Sequence, residues 1–187
     1  MTDRAKFERE ALGHMDAAYN YALHLLAARA DAEDAVQDAF IRAFRAFDQL
    51  QGVDCKPWLL TIVRNVCYRR LQQRRRGGNV ISLDEALSAG TASGQVREGD
   101  LAAPERSPEG HAIARSDTAA VTRALAALPP AFREVVVLRE FEEMSYREIA
   151  DVIGAPVGTV MSRLSRAREQ LRIELLKVLR QDENDVM

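Results

Sequence analysis

Thr159, Ser162, Arg163, Arg166 and Arg168 crowd one short stretch near the C-terminal end of the chain. Guanidinium groups pair with guanine edges and with phosphates, and small hydroxyls suit close approach to a sugar–phosphate backbone. Such chemistry needs a rigid support, and the flanking residues supply one. Ser145 and Glu148 have the S-x-x-E spacing of a capping box, so a helix should start there. Ile149, Ala150 and Ile153 give it an apolar face, Gly154 supplies a turn, and Pro156 suits the first position of the next helix. In that second helix Val157, Val160, Leu164, Ala167 and Leu171 recur at three–four spacing and should be buried. Thr159, Ser162, Arg163 and Arg166 then point the other way. Two short helices around a tight turn, the second with a basic outer face, have the layout of a helix-turn-helix that enters the DNA major groove. The plainer alternative is a helical hairpin with a solvated basic face.

The 187 residues allow one domain or two small ones, and 47% hydrophobic residues are ample for packed cores. No apolar run approaches the roughly 18–20 residues that span a bilayer. The opening MTDRAKFEREALGHMD lacks the apolar centre of a signal peptide, so a cytoplasmic protein is expected. Cys55 and Cys67 have no C-x-x-C spacing and no nearby histidine pair, which predicts reduced thiols and no metal site. Net charge is −2, unusual for a free-standing DNA binder, but the charge is segregated. Arg64–Arg76 holds six arginines and no acid; Pro156–Arg180 holds six basic residues against Glu169 and Glu174. Acids gather in Asp31–Asp38 and between Gly77 and Asp117. A net-acidic chain with two basic patches should bind DNA weakly by itself and require a partner.

Helical periodicity runs along most of the chain. Phe7, Ala11, Leu12, Met15, Ala18, Tyr19, Ala22, Leu25 and Leu26 fit one face of a helix reaching about Ala30. Asp31 can cap the next helix, which carries Val36, Ala39, Phe40, Ala43, Phe44 and Phe47 on one stripe. Pro57 opens a third helix to about Arg75, with Leu59, Ile62, Val63, Val66 and Cys67 inward and Thr61, Asn65, Tyr68, Arg69 and Gln72 outward. From Gly77 to about Ser107 the composition turns to Gly, Ser, Ala and acids, which reads as a linker with a short helical turn near Asp84–Leu87. Pattern resumes over Ile113–Leu128, and Pro129–Pro130 separates it from a helix over Ala131–Phe141. The β-branched run Glu134–Leu138 has no second strand to pair with, so helix is the reading. The expected fold class is all-α: two small helical domains joined by a flexible acidic linker, the second containing the helix-turn-helix. The divisions are 1–76, a 77–112 linker, 113–181 and a 182–187 tail.

In that order the segments resemble the extracytoplasmic-function class of bacterial RNA polymerase sigma factors. AEDAVQDAFIRAFRAF (Ala32–Phe47) resembles the second-region helix that grips the polymerase clamp. PWLLTIVRNVCYRRLQQRRR (Pro57–Arg76) resembles the adjoining helix that melts and reads the promoter −10 element. LPPAFREVVVLREFEEMSYREIADVIGAPVGTVMSRLSRAR (Leu128–Arg168) resembles the fourth region that binds the −35 element. The resemblance implies polymerase contacts from Asp34, Gln37, Asp38, Phe40 and Arg42. It implies −10 contacts from Trp58, Arg64, Asn65, Tyr68, Arg69, Arg70, Arg74 and Arg75, and −35 contacts from the set named above. Aromatic platforms beside cations are how unstacked bases and their backbone are held, although Trp58 suits core packing equally well. Arg69 stands where the family often has Asp, and Met161 where Lys is common. The implied partners are core RNA polymerase (clamp of the largest subunit and the −35-side flap), promoter DNA and an anti-sigma factor. No cofactor, membrane insertion or small-molecule substrate is implied. The linker, with acids in excess, resembles the sigma linker that threads the RNA channel, or it is a plain tether.

The competing readings are a stand-alone helix-turn-helix regulator that binds an operator as a dimer, and a helical adaptor that binds only proteins. The first leaves the Arg64–Arg76 cluster as duplicate chemistry; the second leaves the recognition-helix arginines unexplained. An enzyme is not expected: there is no Gly-rich phosphate loop, metal-ligand cluster or nucleophile motif.

Overall fold

The structure, a computed structural model, describes residues 4–50, 54–76 and 110–185, and the regular structure among them is entirely helical. The predicted linker, with its turn near Asp84–Leu87, lies almost wholly outside the described residues. Helices α1 (Arg4–Ala11), α2 (Met15–Leu26), α3 (Arg29–Ala46) and α4 (Cys55–Arg76) form the first group. The second comprises α5 (Gly110–Ala127), α6 (Pro130–Val136), α7 (Tyr146–Ile153) and α8 (Val157–Asp185).

The single helix expected over Phe7–Ala30 is broken. A 3₁₀ turn at Leu12–His14 separates α1 from α2 and shifts the helical phase. Leu12 and Met15 therefore leave the core and are 43% and 44% exposed, while Tyr21, unassigned by the periodicity, is fully buried. Asp31 is not the cap of α3. That helix begins at Arg29 from an extended Ala28, which leaves Asp31 in the first turn, still on the favourable side of the helix dipole. Val36, Ala39, Ala43 and Phe47 bury as expected, but Phe44 is 36% exposed. Phe7 meets Phe40, Phe44 and Phe47 edge-on, at centroid distances of 6.3, 5.2 and 5.2 Å. Such edge-to-face contacts put positive ring edges on negative ring faces and lock the α1–α3 crossing. Helix α4 starts at Cys55, ahead of Pro57, and buries Leu60 in addition to the expected Leu59, Val63, Val66 and Cys67.

In the second group the Glu134–Leu138 run is helical. Val135, Val136, Val137 and Leu138 are all buried, which explains its strand-like composition: a short helix surrounded on all sides is apolar on all sides. It widens into a π turn over Val137–Phe141, where Glu142 N–H donates to Val137 O at 3.1 Å and Met144 N–H to Leu138 O at 3.0 Å. Helix α8 is the spine of this group, packing on α5, α6 and α7. The two groups touch, α2 against α6 and α4 against α7, and their buried residues join in one apolar cluster.

Candidate nucleic-acid interface

The local geometry of the helix-turn-helix follows its sequence closely. Ser145 Oγ accepts the Glu148 N–H at 3.2 Å, and Glu148 Oε2 accepts the Ser145 N–H at 2.6 Å, closing the capping box. Hydrogen bonding of the Glu148 carboxyl by Ser145, through its hydroxyl and its backbone N–H, favours the ionised form and holds the Glu148 pKa below its ordinary value. Gly154 ends α7 in the left-handed region at φ 64°, where any side chain is strained. Pro156 sits one position earlier than expected. Its carbonyl accepts the first helical bond, from Val160 N–H at 3.2 Å, so it caps α8 and does not open it.

Ile149, Ala150, Val152 and Ile153 of α7 bury beside Val160, Leu164 and Ala167 of α8. Val157, expected inside, is 38% exposed, and Leu171 is half-buried. On the outer face of α8, Ser162 and Arg166 are exposed, and Met161, immediately before Ser162, is 54% exposed. Thr159 and Arg163 are half-buried. Ser162 donates to Thr159 O at 3.0 Å, and Arg168 pairs with Glu140 at 2.6 Å.

Around α4 the structure departs from the outward array that periodicity predicts. Asn65 and Arg69 do face solvent. Tyr68 does not: it is half-buried, and its hydroxyl donates to Glu134 Oε2 at 3.0 Å. Arg64 forms an ion pair with the same carboxylate, and its guanidinium lies 4.5 Å from the Tyr68 ring centroid. Tyr21 completes the cluster, donating to Glu134 Oε1 at 2.8 Å. Burial raises the phenol pKa of Tyr21 and Tyr68, and the Glu134 charge raises both further, so each hydroxyl stays a donor. Burial works against the Arg64 charge, but Glu134 outweighs it and the guanidinium pKa is raised. Arg70 approaches Asp34 at 3.6 Å, and Arg74 pairs with Asp31. The Arg75 side chain lies outside the described residues. Trp58 is half-buried and packs edge-on against Phe47 at 6.2 Å, at the rim of the core. Burial pushes the Cys67 thiol up to about 12, which makes it an inert core group.

A third surface lies on α3. Asp34 and Gln37 are exposed, Phe40 is half-buried, and Asp38 accepts a forked pair from Arg42 at 2.8 and 2.9 Å. The Arg42 bond is the main cause of the lowered Asp38 pKa. Of these, Asp34, Gln37 and Phe40 line a groove of about 1100 Å³ between α1, α2 and α3. Its floor includes Leu12, Met15, Phe40, Ile41 and Phe44. Sequence reasoning missed four of these five. Periodicity puts Leu12, Met15 and Phe44 in the core and leaves Ile41 off the stripe; an isoleucine on the polar face beside Asp38 and Arg42 is the available signal.

Comparison with known proteins identifies the family. Residues 12–77 match the Sigma-70 region 2 family, and residues 118–171 match Sigma-70, region 4. The chain is 37% identical over 153 residues to "RNA polymerase sigma-H factor" of Pseudomonas aeruginosa, covering 81% of this chain and 76% of that protein. It is 36% identical over 166 residues to "ECF RNA polymerase sigma factor SigE" of Mycolicibacterium smegmatis, covering 88% of this chain but only 59% of the relative's length. Among solved structures, the sigma factor RpoE of Bartonella quintana, in complex with the anti-sigma factor NepR, superposes with a TM-score of 0.67 at 31% identity. That match covers 92% of this chain and 98% of the other. A helix-turn-helix at one end, a second helical unit with a basic helix at the other, and these relatives define a sigma factor. The chain belongs to the extracytoplasmic-function class of RNA polymerase sigma factors, as the sequence resemblance implied.

Proposed function

We propose that the chain binds core RNA polymerase through the α1–α3 groove and directs initiation at promoters with −35 and −10 elements. The observation that carries the DNA half of this reading is the outer face of α8. Ser162 and Arg166 stand exposed on a helix that the capping box, Gly154 and the buried Val160–Leu164–Ala167 stripe hold rigidly. Thr159, Arg163 and Arg168 flank them, and together they form the −35 set. Asn65 and Arg69, exposed on α4, with Trp58, Arg64, Tyr68, Arg70, Arg74 and Arg75, form the −10 set. The groove floor of Leu12, Met15, Phe40, Ile41 and Phe44 gives the polymerase clamp an apolar seat, Asp34 and Gln37 give it a polar rim, and the Asp38–Arg42 pair on the same helix completes the polymerase set. Residues 1–76 serve polymerase binding and the −10 element and 113–181 the −35 element, the linker setting their separation.

The chain does this in the cytoplasm, without catalysis or cofactor, the energy of strand opening coming from capture of the separated strand. An anti-sigma factor is proposed as a regulator, because the Bartonella relative was solved with one. Run-off transcription from a genomic fragment pool, with sigma-free core polymerase, tests the reading. Transcripts should appear only with the protein present. Arg163→Ala with Arg166→Ala should abolish −35-dependent transcripts while leaving polymerase binding intact. Silence combined with tight DNA binding by the protein alone would instead establish a stand-alone regulator.

A further inference from the structure

Glu134 is a carboxylate with no solvent exposure in a chain that has exposed carboxylates to spare. It sits on α6, in the half that carries the helix-turn-helix. Its three partners all come from the other half: Tyr21 on α2, and Arg64 and Tyr68 on α4. Two phenol hydroxyls and a guanidinium converging on one pair of oxygens make a complete receptor for an oxyanion. Arg64 and Tyr68 also belong to the proposed −10 set. We propose that Glu134 occupies, from within the chain, the site at which Tyr21, Arg64 and Tyr68 receive a phosphodiester oxygen of the unpaired promoter strand. The free protein is thereby held closed, with its strand-binding site filled by its own other half.

The surrounding contacts fit a latch. Lys56, at the start of α4, reaches Glu142 Oε2 at 3.0 Å and the Glu142 carbonyl at 2.8 Å. Arg133 donates to the His24 carbonyl at 2.9 Å. Polar and ionic contacts therefore cross the seam beside the apolar cluster, as in domain interfaces that open and close. A buried ion pair repays its desolvation only narrowly, so one anion can be exchanged for another at small net cost. The exchange also suits the chemistry of the invader. A phosphodiester presents two anionic oxygens, as the carboxylate does, and reaches the site only if α6 swings away from α4. Other arginines of the basic helix are held similarly, Arg70 near Asp34 and Arg74 by Asp31, but those partners lie in the same half and need no domain movement.

This inference rests on the proposed −10 role of α4, and its test separates the two. Dyes attached at Arg9→Cys and Arg180→Cys, both exposed positions, in a Cys55→Ser background report the separation of the halves by energy transfer. Glu134→Gln keeps the shape and removes the charge. It should lower the energy transfer of the free protein and tighten binding of mixed-sequence single-stranded DNA by about ten-fold, because the competent fraction rises. Arg64→Ala added to Glu134→Gln should cancel the gain in DNA binding but not the opening. Lys56→Glu sets a second charge against Glu142 at a partly exposed position, and should open the halves and raise DNA affinity even if Glu134→Gln fails to fold. Native energy transfer and unchanged DNA affinity in folded variants would overturn the latch. Opening without any gain in DNA binding would overturn the exchange of carboxylate for phosphate. Run-off transcription by the unmodified protein decides the sigma reading independently of both.

Discussion

Tyr21 illustrates how much can depend on a single hydroxyl. It is fully buried, and its only polar atom is spent on Glu134. Tyr21→Phe keeps the ring and deletes one of the donors, and should cost about 1–2 kcal/mol of stability in a urea melt. His24 supports a prediction of a different sign. Burial first, and the Arg133 charge second, lower its pKa from 6.5 to about 4. Above 6.5 the imidazole is neutral in folded and unfolded chains alike and contributes nothing. Between 6.5 and 4 only the unfolded chain takes up the proton, so stability should fall across that window by roughly 2–3 kcal/mol and then level off. Urea melts at several pH values in the window check this, and His24→Leu should remove that part of the slope. Further loss at lower pH then belongs to the depressed carboxylates Asp38 and Glu148, whose contribution disappears as they protonate. Neither Tyr21 nor Glu134 was legible as a site residue in the sequence. Their meeting joins positions 113 residues apart, and no spacing rule reaches that far.

At the scale of elements, what was legible was what is local. Ser145, Glu148 and Gly154 act within one or two turns of themselves, and the helix they predict is the helix observed, Tyr146–Ile153. Ser145→Ala should lower stability by about 1 kcal/mol, read as a fall in melting temperature, since the Glu148 N–H loses the hydroxyl that accepts it while the bond from Ser145 N–H to the Glu148 carboxylate remains. The break at Leu12–His14 was not legible, because the apolar residues on either side fit one continuous face well enough to hide it. Its consequence is large: the phase shift takes Leu12 and Met15 out of the core and places them in the α1–α3 groove. Helix α2 ends on Ala27 at φ 56°, a conformation that suits glycine. Ala27→Gly relieves that strain and should raise stability by up to roughly 1 kcal/mol in the same measurement. A loss instead would mean that the entropy of the freed backbone outweighs the strain.

At the scale of the whole molecule, the sequence showed where charge gathers but not which charges meet. Arg64–Arg76 reads as an open basic patch, and Asp31–Asp38 as an acidic one, because the two are separated along the chain. Folding brings them together: Asp31 lies on Arg74, Asp34 near Arg70, and a distant glutamate on Arg64. The all-helical class and the order of segments were legible, since both follow from periodicity and from motifs that act locally. That pairing bears on the ionic atmosphere. A nucleic acid sheds one condensed counterion for each phosphate that a bare cation neutralises, and the number shed sets how steeply affinity falls with added salt. Arginines that arrive already neutralised exchange one internal partner for a phosphate, and the released carboxylate collects sodium or potassium in return. Titrations of the free protein against single-stranded DNA at increasing salt should therefore give a slope shallower than its count of arginines suggests.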